Sequence, residues 1–304
     1  MQMTDAIAQI LPDGKRLHLQ AGPIDLIIDA DGNSAQVAQA FAQARVAFEP
    51  VLADLVTELV CLRTPLSDVV VPAGPVAKIM TDAAARFTAH NVTPMIAVAG
   101  AVADHILAAM LKGRDLDRVY VNNGGDIAFW LGDGQSFEIG IVSRVDAPEI
   151  SLQARVCDTD NVQGIATSGW RGRSFSLGVA DAVTVLAPTA ALADAAATLI
   201  ANEVDPGPCP QVTRCPANDL DPDSDLADRL IVTDVQSLSE HQIDVALSKA
   251  EKLVGQFIDA GHMIAASLSL QGHVRTMGNL ANPFIETQIS SETKSIVETQ
   301  YAVG

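Results

Sequence analysis

Two tight turns, each flanked by strand-like segments, constrain the fold of this chain more than any other feature of its sequence. Asp133-Gly134 lies between IAFWLG and FEIGIVS, and Gln271-Gly272 lies between MIAASLSL and HVRTMG. Turns this short join antiparallel neighbours, because parallel strands need a crossover of about a dozen residues or more. Hairpins separated by long helical segments predict an α+β fold with antiparallel sheets packed with long helices, and argue against a parallel doubly wound sheet.

Hydrophobic periodicity and capping residues predict the other elements. Asn33 is a suitable N-cap for a helical stretch that runs toward Cys61, and Pro94 fits the first position of a helix. That helix opens with AVAGAVA, and such small side chains let another backbone or a ligand approach closely. The predicted strands lie within 17–28, 118–143, 164–166, 182–187 and 229–235, and the predicted helices span 95–112, 190–202 and 239–260.

Composition excludes several classes of protein. Of the 304 residues, 48% are hydrophobic, which is too many for a disordered chain. The chain has 37 acidic residues against 19 lysines and arginines, for a net charge of −18. Nucleic-acid binding and attachment to anionic membranes both require clustered cations. We therefore expect an acidic globular protein that binds neither nucleic acids nor membranes.

The chain also lacks the sequence signals of export. Residues 1–12 contain no basic segment followed by an apolar run and a cleavage site. The longest apolar stretch, 95–111, is interrupted by Asp104 and His105 and is short for a membrane span of ~20 residues. Its 4 cysteines form no CxxC pair or disulfide framework. These features predict a cytoplasmic location.

A first candidate ligand site is the sequence Asn122-Asn123-Gly124-Gly125-Asp126. Two glycines between strands allow positive φ angles, so that backbone amides can face a ligand. Asp126 would then accept hydrogen bonds from hydroxyl or amine groups. The alternative is a tight strand connection without a ligand, since asparagine, glycine and aspartate are the ordinary turn residues.

A second candidate site follows the predicted strand at 164–166. Thr167, Ser168 and Gly169 are followed by Arg171 and Arg173. Two hydroxyls, a glycine and two guanidinium groups suit a phosphate or pyrophosphate, which arginine binds in bidentate fashion. The alternative is a solvated basic loop.

A third candidate site consists of Asp194 and Thr198 in the segment LADAAATLIAN. Their spacing of four residues places both oxygens on one face of a helix. With the phosphates of a ligand they would form an oxygen shell suited to Mg²⁺, which usually takes one or two protein ligands. The alternative is an ordinary polar helix flank.

In this order, the blocks resemble the ApbE-like family of FAD-dependent protein flavin transferases. The matching segments are GAVAD at 100–104, VNNGGDI, IATSG, and VTVLAP running into LADAAAT, within residues 90–205. The segments after Asp205 look most like the uncharacterised cytoplasmic branch of that superfamily. The resemblance implies an ApbE-like (T-fold-like) α+β domain over residues 1–282, with 283–304 as a polar tail or edge strand.

The resemblance also implies roles for individual residues. Asp194 and Thr198 would ligate Mg²⁺ on the FAD diphosphate. Further residues of the first two sites would bind the flavin nucleotide, namely Asn123, Gly124, Gly125, Asp126, Thr167, Ser168, Gly169, Arg171 and Arg173.

This chain departs from the transferases at two positions. The histidine that they carry between TSG and the VTV strand is absent, and Asp104 stands where they have a lysine. In the shortened segment only Asp181 could act as a carboxylate base, and its alternative is a charge at the start of a strand. Binding of a flavin is thus better supported by the sequence than transfer of FMN.

Three functions remain open at this point. The first is a Mg²⁺-dependent FMN transferase or FAD pyrophosphate-cleaving enzyme, whose partners would be FAD and an acceptor protein. The second is a non-catalytic flavin- or nucleotide-binding or assembly protein. The third is an enzyme that acts on another anionic heterocyclic metabolite. The sequence leaves the oligomeric state open.

Overall fold

A computed structural model describes residues 7–67, 72–142, 144, 150–278 and 284–286. It divides into two compact units. The first comprises Met1–Phe137, Cys157–Ala166 and Ala187–Ala195, and the second comprises Glu138–Val156, Thr167–Leu186 and Ala196–Gly304. The single domain expected over residues 1–282 stays a prediction. Of the expected tail, residues 283 and 287–304 lie outside the described part of the chain.

The described residues form strands and helices in an irregular alternation. The strands are β1 (Ile7–Ile10), β2 (Leu17–Ala21), β3 (Ile24–Asp31), β4 (Arg118–Asn123), β5 (Asp126–Leu131), β6 (Ser136–Val142), β7 (Ile150–Cys157), β8 (Gly164–Ser168), β9 (Ala182–Ala187), β10 (Val212–Pro216), β11 (Leu230–Val235), β12 (Ala265–Leu270), β13 (His273–Gly278) and β14 (Phe284–Glu286). The α-helices are α1 (Ser34–Phe48), α2 (Val51–Thr57), α3 (Leu59–Leu62), α4 (Pro75–Ala84), α5 (Val98–Leu111), α6 (Ala190–Glu203), α7 (Ala217–Leu220) and α8 (Glu240–Asp259). Short 3-10 helices cover Ala85–His90, Pro94–Ala97 and Asp158–Asp160.

In the first unit, β1 to β5 are antiparallel neighbours in chain order, and β8 continues the sheet beside β5. Helix α5 packs on β4 and β5, with α1 and α4 beside it. Half of the segment Pro94–Leu111 is buried, although its length and apolar composition would also suit a membrane span. Since core helices share that composition, it serves here as the central helix of the unit.

In the second unit, β9, β12 and β13 form an antiparallel run. Gln271 and Gly272, with φ angles of 46° and 85°, make the predicted two-residue turn between β12 and β13. Helix α8 packs on both strands, and Arg275 of β13 binds Asp244 and Glu251 of that helix. The α+β class and the antiparallel sheets are thereby confirmed.

The hairpin expected at Asp133-Gly134 is wrong in its pairing. The sheet neighbours of β5 are β4 and β8, whereas β6 lies in a separate three-stranded sheet of order β14-β7-β6. Gly134 does take a positive φ of 73°, but its amide donates to the Asp158 carboxylate 2.9 Å away. The turn is therefore held by a hydrogen bond to a residue 24 positions away, and the local sequence does not encode that contact.

The N-terminus of α8 allows a prediction about stability. Ser239 Oγ accepts a hydrogen bond from Gln242 N, and Gln242 Oε1 accepts one from Ser239 N, which together form a capping box. We expect Ser239→Ala to lower the free energy of unfolding by about 1 kcal/mol, because donors of the first turn lose an acceptor. Denaturant unfolding measures this, and Ser239→Thr, which retains the hydroxyl, should recover most of the loss.

Candidate functional site

The turn between β4 and β5 is built as the sequence suggests. Gly124 and Gly125 have φ angles of 64° and 115°, which side chains other than glycine rarely adopt. Gly125 N donates to Asn122 Oδ1 at 2.9 Å, and Asn123 Nδ2 donates to the carbonyl of Ala99 at 3.1 Å. Both asparagines are buried, whereas Gly124 is exposed. Asn122 and Asn123 thus hold the turn, and the backbone at the glycines is its accessible part.

A buried histidine lies behind this turn and was missed by the sequence analysis. His18 on β2 is 7% exposed, and its Nε2 lies 2.7 Å from Asp25 Oδ1 on β3. The backbone amide of Asp25 in turn donates to Asn123 Oδ1 at 3.5 Å. In the β2–β3 register, Gln20 pairs with Asp25, so His18 lies diagonal to Asp25 on the same face. Pairing the strands predicted within 17–28 as a hairpin in this register could have revealed the His18–Asp25 pair.

Two aspartates join α5 to α6 in reciprocal fashion. Asp104 of α5 accepts hydrogen bonds from Ala190 N at 3.0 Å and Ala191 N at 2.9 Å, the first amides of α6. Asp194 of α6 accepts one from Gly100 N, in the first turn of α5, at 3.0 Å. Each carboxylate therefore lies at the positive end of the other residue's helix, where its charge is stabilised.

Burial nevertheless outweighs these hydrogen bonds in both carboxyl groups. It raises the pKa of Asp104 to about 6, although the amides of Ala191 and Ala190 act in the opposite direction. Burial likewise raises the pKa of Asp194 above its ordinary value, and the nearby Asp104 carboxylate raises it further. The two acids thus form a place of low dielectric and excess negative charge, which favours the approach of a cation or a proton.

The backbones of α5, α6 and β8 meet closely around these acids. A Cβ atom on Gly100 would lie 2.2 Å from the carbonyl oxygen of Ala190. A Cβ atom on Gly164, at the start of β8, would lie 2.1 Å from the carbonyl oxygen of Thr189. Only glycine fits at either position. The small residues of AVAGAVA were predicted to let another backbone approach closely, and the backbone that does so is the start of α6.

The predicted metal ligands lie on one helix. Asp194 and Thr198 are one turn apart in α6, and both side chains keep part of their surface accessible. Carboxylate and hydroxyl oxygens suit Mg²⁺, and the raised pKa of Asp194 marks a place where a cation would lower the free energy. The described residues contain no group of three or more His, Cys, Asp or Glu that could hold a metal. The donor set fits Mg²⁺ only if a ligand supplies further oxygens.

The segment that follows β8 belongs to the second unit and is tightly folded. Thr167 Oγ1 and Thr184 Oγ1 are 2.8 Å apart, so the first of the two predicted hydroxyl ligands already has a partner. A Cβ atom on Gly169 would lie 2.7 Å from the carbonyl oxygen of Asp181, which only a glycine allows. Ser168 is partly accessible, and Arg173 is exposed.

Asp181, the predicted base, is 4% exposed and has partners for both carboxylate oxygens. Oδ1 lies 3.4 Å from Arg171 Nε, and Oδ2 accepts a hydrogen bond from Gln271 N at 2.5 Å. The guanidinium of Arg171 also lies over the ring of Trp170, 4.2 Å from its centroid. The structure therefore brings Asp181 and Arg171 together, and Trp170 joins them, which the sequence did not suggest.

Comparison with known proteins finds a family model that matches most of the chain. A family model described as AbpE bacteria matches residues 8–276. The chain is 37% identical over 135 residues to a UPF0280 protein of Methanothrix thermoacetophila, covering 44% of this chain and 54% of that protein. It is 43% identical over 129 residues to a UPF0280 protein of Methanopyrus kandleri, covering 42% of this chain and 48% of that protein. The chain thus spans about half the length of the curated relatives it matches.

Among solved structures, the chain is similar to the crystal structure of the ApbE protein from Thermotoga maritima. The two are 12% identical, the likeness covers 90% of this chain and 96% of that chain, and the TM-score is 0.40.

Proposed function

Since this chain belongs to the family described as AbpE bacteria, we propose that it binds FAD together with Mg²⁺ and cleaves the FAD diphosphate. The family match confirms the resemblance drawn from the sequence blocks. A flavin-related role follows from that resemblance, while the reaction and the metal are our proposal. The observation that carries the proposal is Asp194, a partly accessible carboxyl at the N-terminus of α5 with Thr198 one turn away.

The proposal assigns binding roles within each unit. In the first, Asp194 would hold Mg²⁺, and the backbone at Gly124 and Gly125, beside Asp126, would face the nucleotide. In the second, Thr198 on the same helix would complete the protein ligands. When bound, Mg²⁺ would neutralise charge on the diphosphate and so favour its cleavage.

The second unit also offers groups that bind anions. Thr167, Ser168 and Gly169 would lie along the nucleotide, and Arg171 and Arg173 would neutralise its phosphate oxygens. In a protein with a net charge of −18, such local cations decide where an anionic ligand can bind.

The proposed reaction breaks the phosphoanhydride bond of FAD and releases AMP. A new P–O bond forms between the FMN phosphate and an acceptor hydroxyl, either of a protein side chain or of water. The hydroxyl proton must leave to a base, and Asp181 is the residue that the sequence predicts for this step.

AMP release tests the proposal. Incubation with FAD and MgCl₂, followed by chromatography, should show Mg²⁺-dependent formation of AMP. Asp194→Asn keeps an acceptor for the Gly100 amide but removes the charge, and we expect it to slow AMP release by a factor of about 100 or more. Asp82→Asn, at an exposed helical aspartate, is the matched control and should retain full activity. A wild-type protein that neither binds FAD nor releases AMP would contradict the proposal.

One observation favours a second candidate, a non-catalytic flavin-binding or assembly protein. Both oxygens of Asp181 are already occupied by Arg171 and by the amide of Gln271, so this carboxylate is poorly placed to accept a substrate proton. Tight FAD binding without AMP release, unchanged in Asp194→Asn, would favour this candidate.

The third function and two further predictions have tests of their own. Action on another anionic heterocycle would appear in thermal-shift screens as a response to folates or other nucleotides but not to flavins. A cytoplasmic location and an acceptor protein stay predictions, which fractionation of the source cells and mass spectrometry of flavinylated proteins would test.

A further inference from the structure

We propose that Trp170 and Arg171 form a rigid platform for the planar heterocycle of the nucleotide, and that Asp181 positions Arg171. This inference rests on the proposed function, because it names the ring-binding part of the same ligand's site. It departs from that function in one respect, since Asp181 becomes a positioning residue.

The first argument is the rigidity of the backbone beneath the two side chains. Trp170 N donates to the carbonyl of Ala180 at 3.0 Å, and Gly172 N donates to the carbonyl of Gly169 at 3.0 Å. Gly169 packs against the backbone of Ala180 and Asp181 with no space for a Cβ atom. The backbone of Trp170 and Arg171 is thus fixed against residues 180 and 181, which precede β9. The two side chains therefore lose little further conformational entropy when they bind a ligand.

The second argument is the way in which Arg171 is oriented. Its guanidinium stacks on the Trp170 ring at 4.2 Å, and its Nε faces Asp181 Oδ1 at 3.4 Å. Asp181 is itself fixed, because Oδ2 accepts from Gln271 N in the β12–β13 turn and its own amide donates to the carbonyl of Ser269. A buried carboxylate with these partners holds the Arg171 guanidinium in one orientation, so Asp181 acts as a positioning residue for Arg171.

The third argument is an unused donor. Trp170 Nε1 is buried, and no group among the described residues accepts its hydrogen bond. Buried donors without a partner are rare in folded proteins, because each costs its full desolvation free energy. Ring nitrogens and carbonyl oxygens of a flavin or an adenine are suitable acceptors once a small movement of the partly accessible Trp170 side chain uncovers its Nε1. An aromatic ring, a stacked guanidinium and a free indole N–H together are the chemistry that binds a planar, anionic heterocyclic compound.

The chain provides a matched pair of variants for the test, since Trp130 and Trp170 are its 2 tryptophans. Dissociation constants of FMN, AMP and FAD, each with MgCl₂, are measured by calorimetry for wild type, Trp170→Leu, Trp170→Phe and Trp130→Leu. We expect Trp170→Leu to weaken binding about tenfold, Trp170→Phe to weaken it less, and Trp130→Leu to leave it unchanged. Weakening confined to FMN identifies the flavin ring as the stacked group, and weakening confined to AMP identifies adenine.

Fluorescence adds a readout that a purely structural role would not change. Flavin stacked on an indole is strongly quenched, so FMN bound to wild type should emit little light. FMN bound to Trp170→Leu should recover its emission, while FMN bound to Trp130→Leu should stay quenched. If adenine is the stacked ring, FMN emission stays the same in all three proteins and only the AMP constants change.

A double-mutant cycle tests the role of Asp181. If Asp181 acts through Arg171, Asp181→Asn and Arg171→Met each weaken FAD binding by a similar factor, and the double variant binds no more weakly than Arg171→Met alone. Asp181→Asn then raises the KM for FAD and changes kcat little. A collapse of kcat at unchanged dissociation constant would instead make Asp181 the proton acceptor and overturn the positioning role. Arg171→Met keeps the cycle informative should Asp181→Asn fold poorly, because its own binding defect tests the platform.

The two proposals fail in different ways. If wild type binds none of FAD, FMN and AMP, the proposed function fails and the platform with it. If wild type binds FAD but Trp170→Leu and Arg171→Met bind it as tightly as Trp130→Leu does, the platform alone is wrong.

Discussion

Replacing Gly100 by alanine is expected to destabilise this protein by about 3 kcal/mol or more, or to prevent soluble expression. The added Cβ would lie 2.2 Å from the carbonyl oxygen and 2.7 Å from the amide nitrogen of its nearest neighbours, Ala190 and Ala191. Those atoms are backbone at the start of α6, so no side chain can turn away to make room. The helices must separate, and the hydrogen bond from Gly100 N to Asp194 lengthens as they do.

Gly255 supplies the control for this prediction. It also lies within a helix, α8, but a Cβ atom there would meet nothing within 4 Å. Gly255→Ala should therefore stabilise the protein by about 0.5–1 kcal/mol, through the higher helix propensity of alanine. Denaturant unfolding of both variants gives the comparison. Equal stability of the two variants would show that α5 and α6 are not in close contact at Gly100.

The second large effect concerns pH. A carboxyl group whose pKa is raised by folding stabilises the protein most below its unfolded pKa, and this stability is lost as pH rises through the folded value. Burial raises the pKa of Asp104 from 3.8 to about 6, and that of Asp194 in the same direction. The two groups should thus lower the free energy of unfolding between about pH 4 and pH 7. Asp104 contributes on the order of 2–3 kcal/mol, at about 1.4 kcal/mol per pKa unit.

Asp104→Asn isolates this contribution. Asparagine keeps one acceptor for the amides of Ala190 and Ala191 but cannot ionise, so we expect it to be less stable than wild type at pH 5. The difference should shrink or reverse by pH 8, where wild type carries the full cost of the buried charge. His105, whose pKa burial lowers, acts in the opposite direction, but its effect is common to both proteins and cancels in the difference.

Asp13 is the control for this comparison. Hydrogen bonds from the backbone amides of Arg16 and Lys15 lower its pKa to about 2, so it titrates below this window. The effect of Asp13→Asn on stability should therefore be constant from pH 5 to pH 8. A difference between wild type and Asp104→Asn that did not change with pH would contradict the raised pKa of Asp104.

Several features that depend on neighbouring residues in the chain were predicted correctly from the sequence. Asn33 caps α1 through a hydrogen bond from Ala35 N, and Ser239 begins α8. The turn at Gln271-Gly272 joins antiparallel strands, and the one at Gly124-Gly125 joins β4 to β5. Capping, turn geometry and hydrophobic period act within a few residues, so the local sequence contains them.

The sequence by itself determined the α+β class, the approximate bounds of α5, α6 and α8, and the family. Only the tertiary structure showed that β6 leaves the sheet of β5, that His18 lies against Asp25, and that Asp181 binds Arg171. It also showed Asp104, at the position of an expected lysine, capping α6 across 86 residues of sequence. Such contacts depend on which elements the sheet brings together and on how closely glycine lets the helices approach, and no local pattern encodes either.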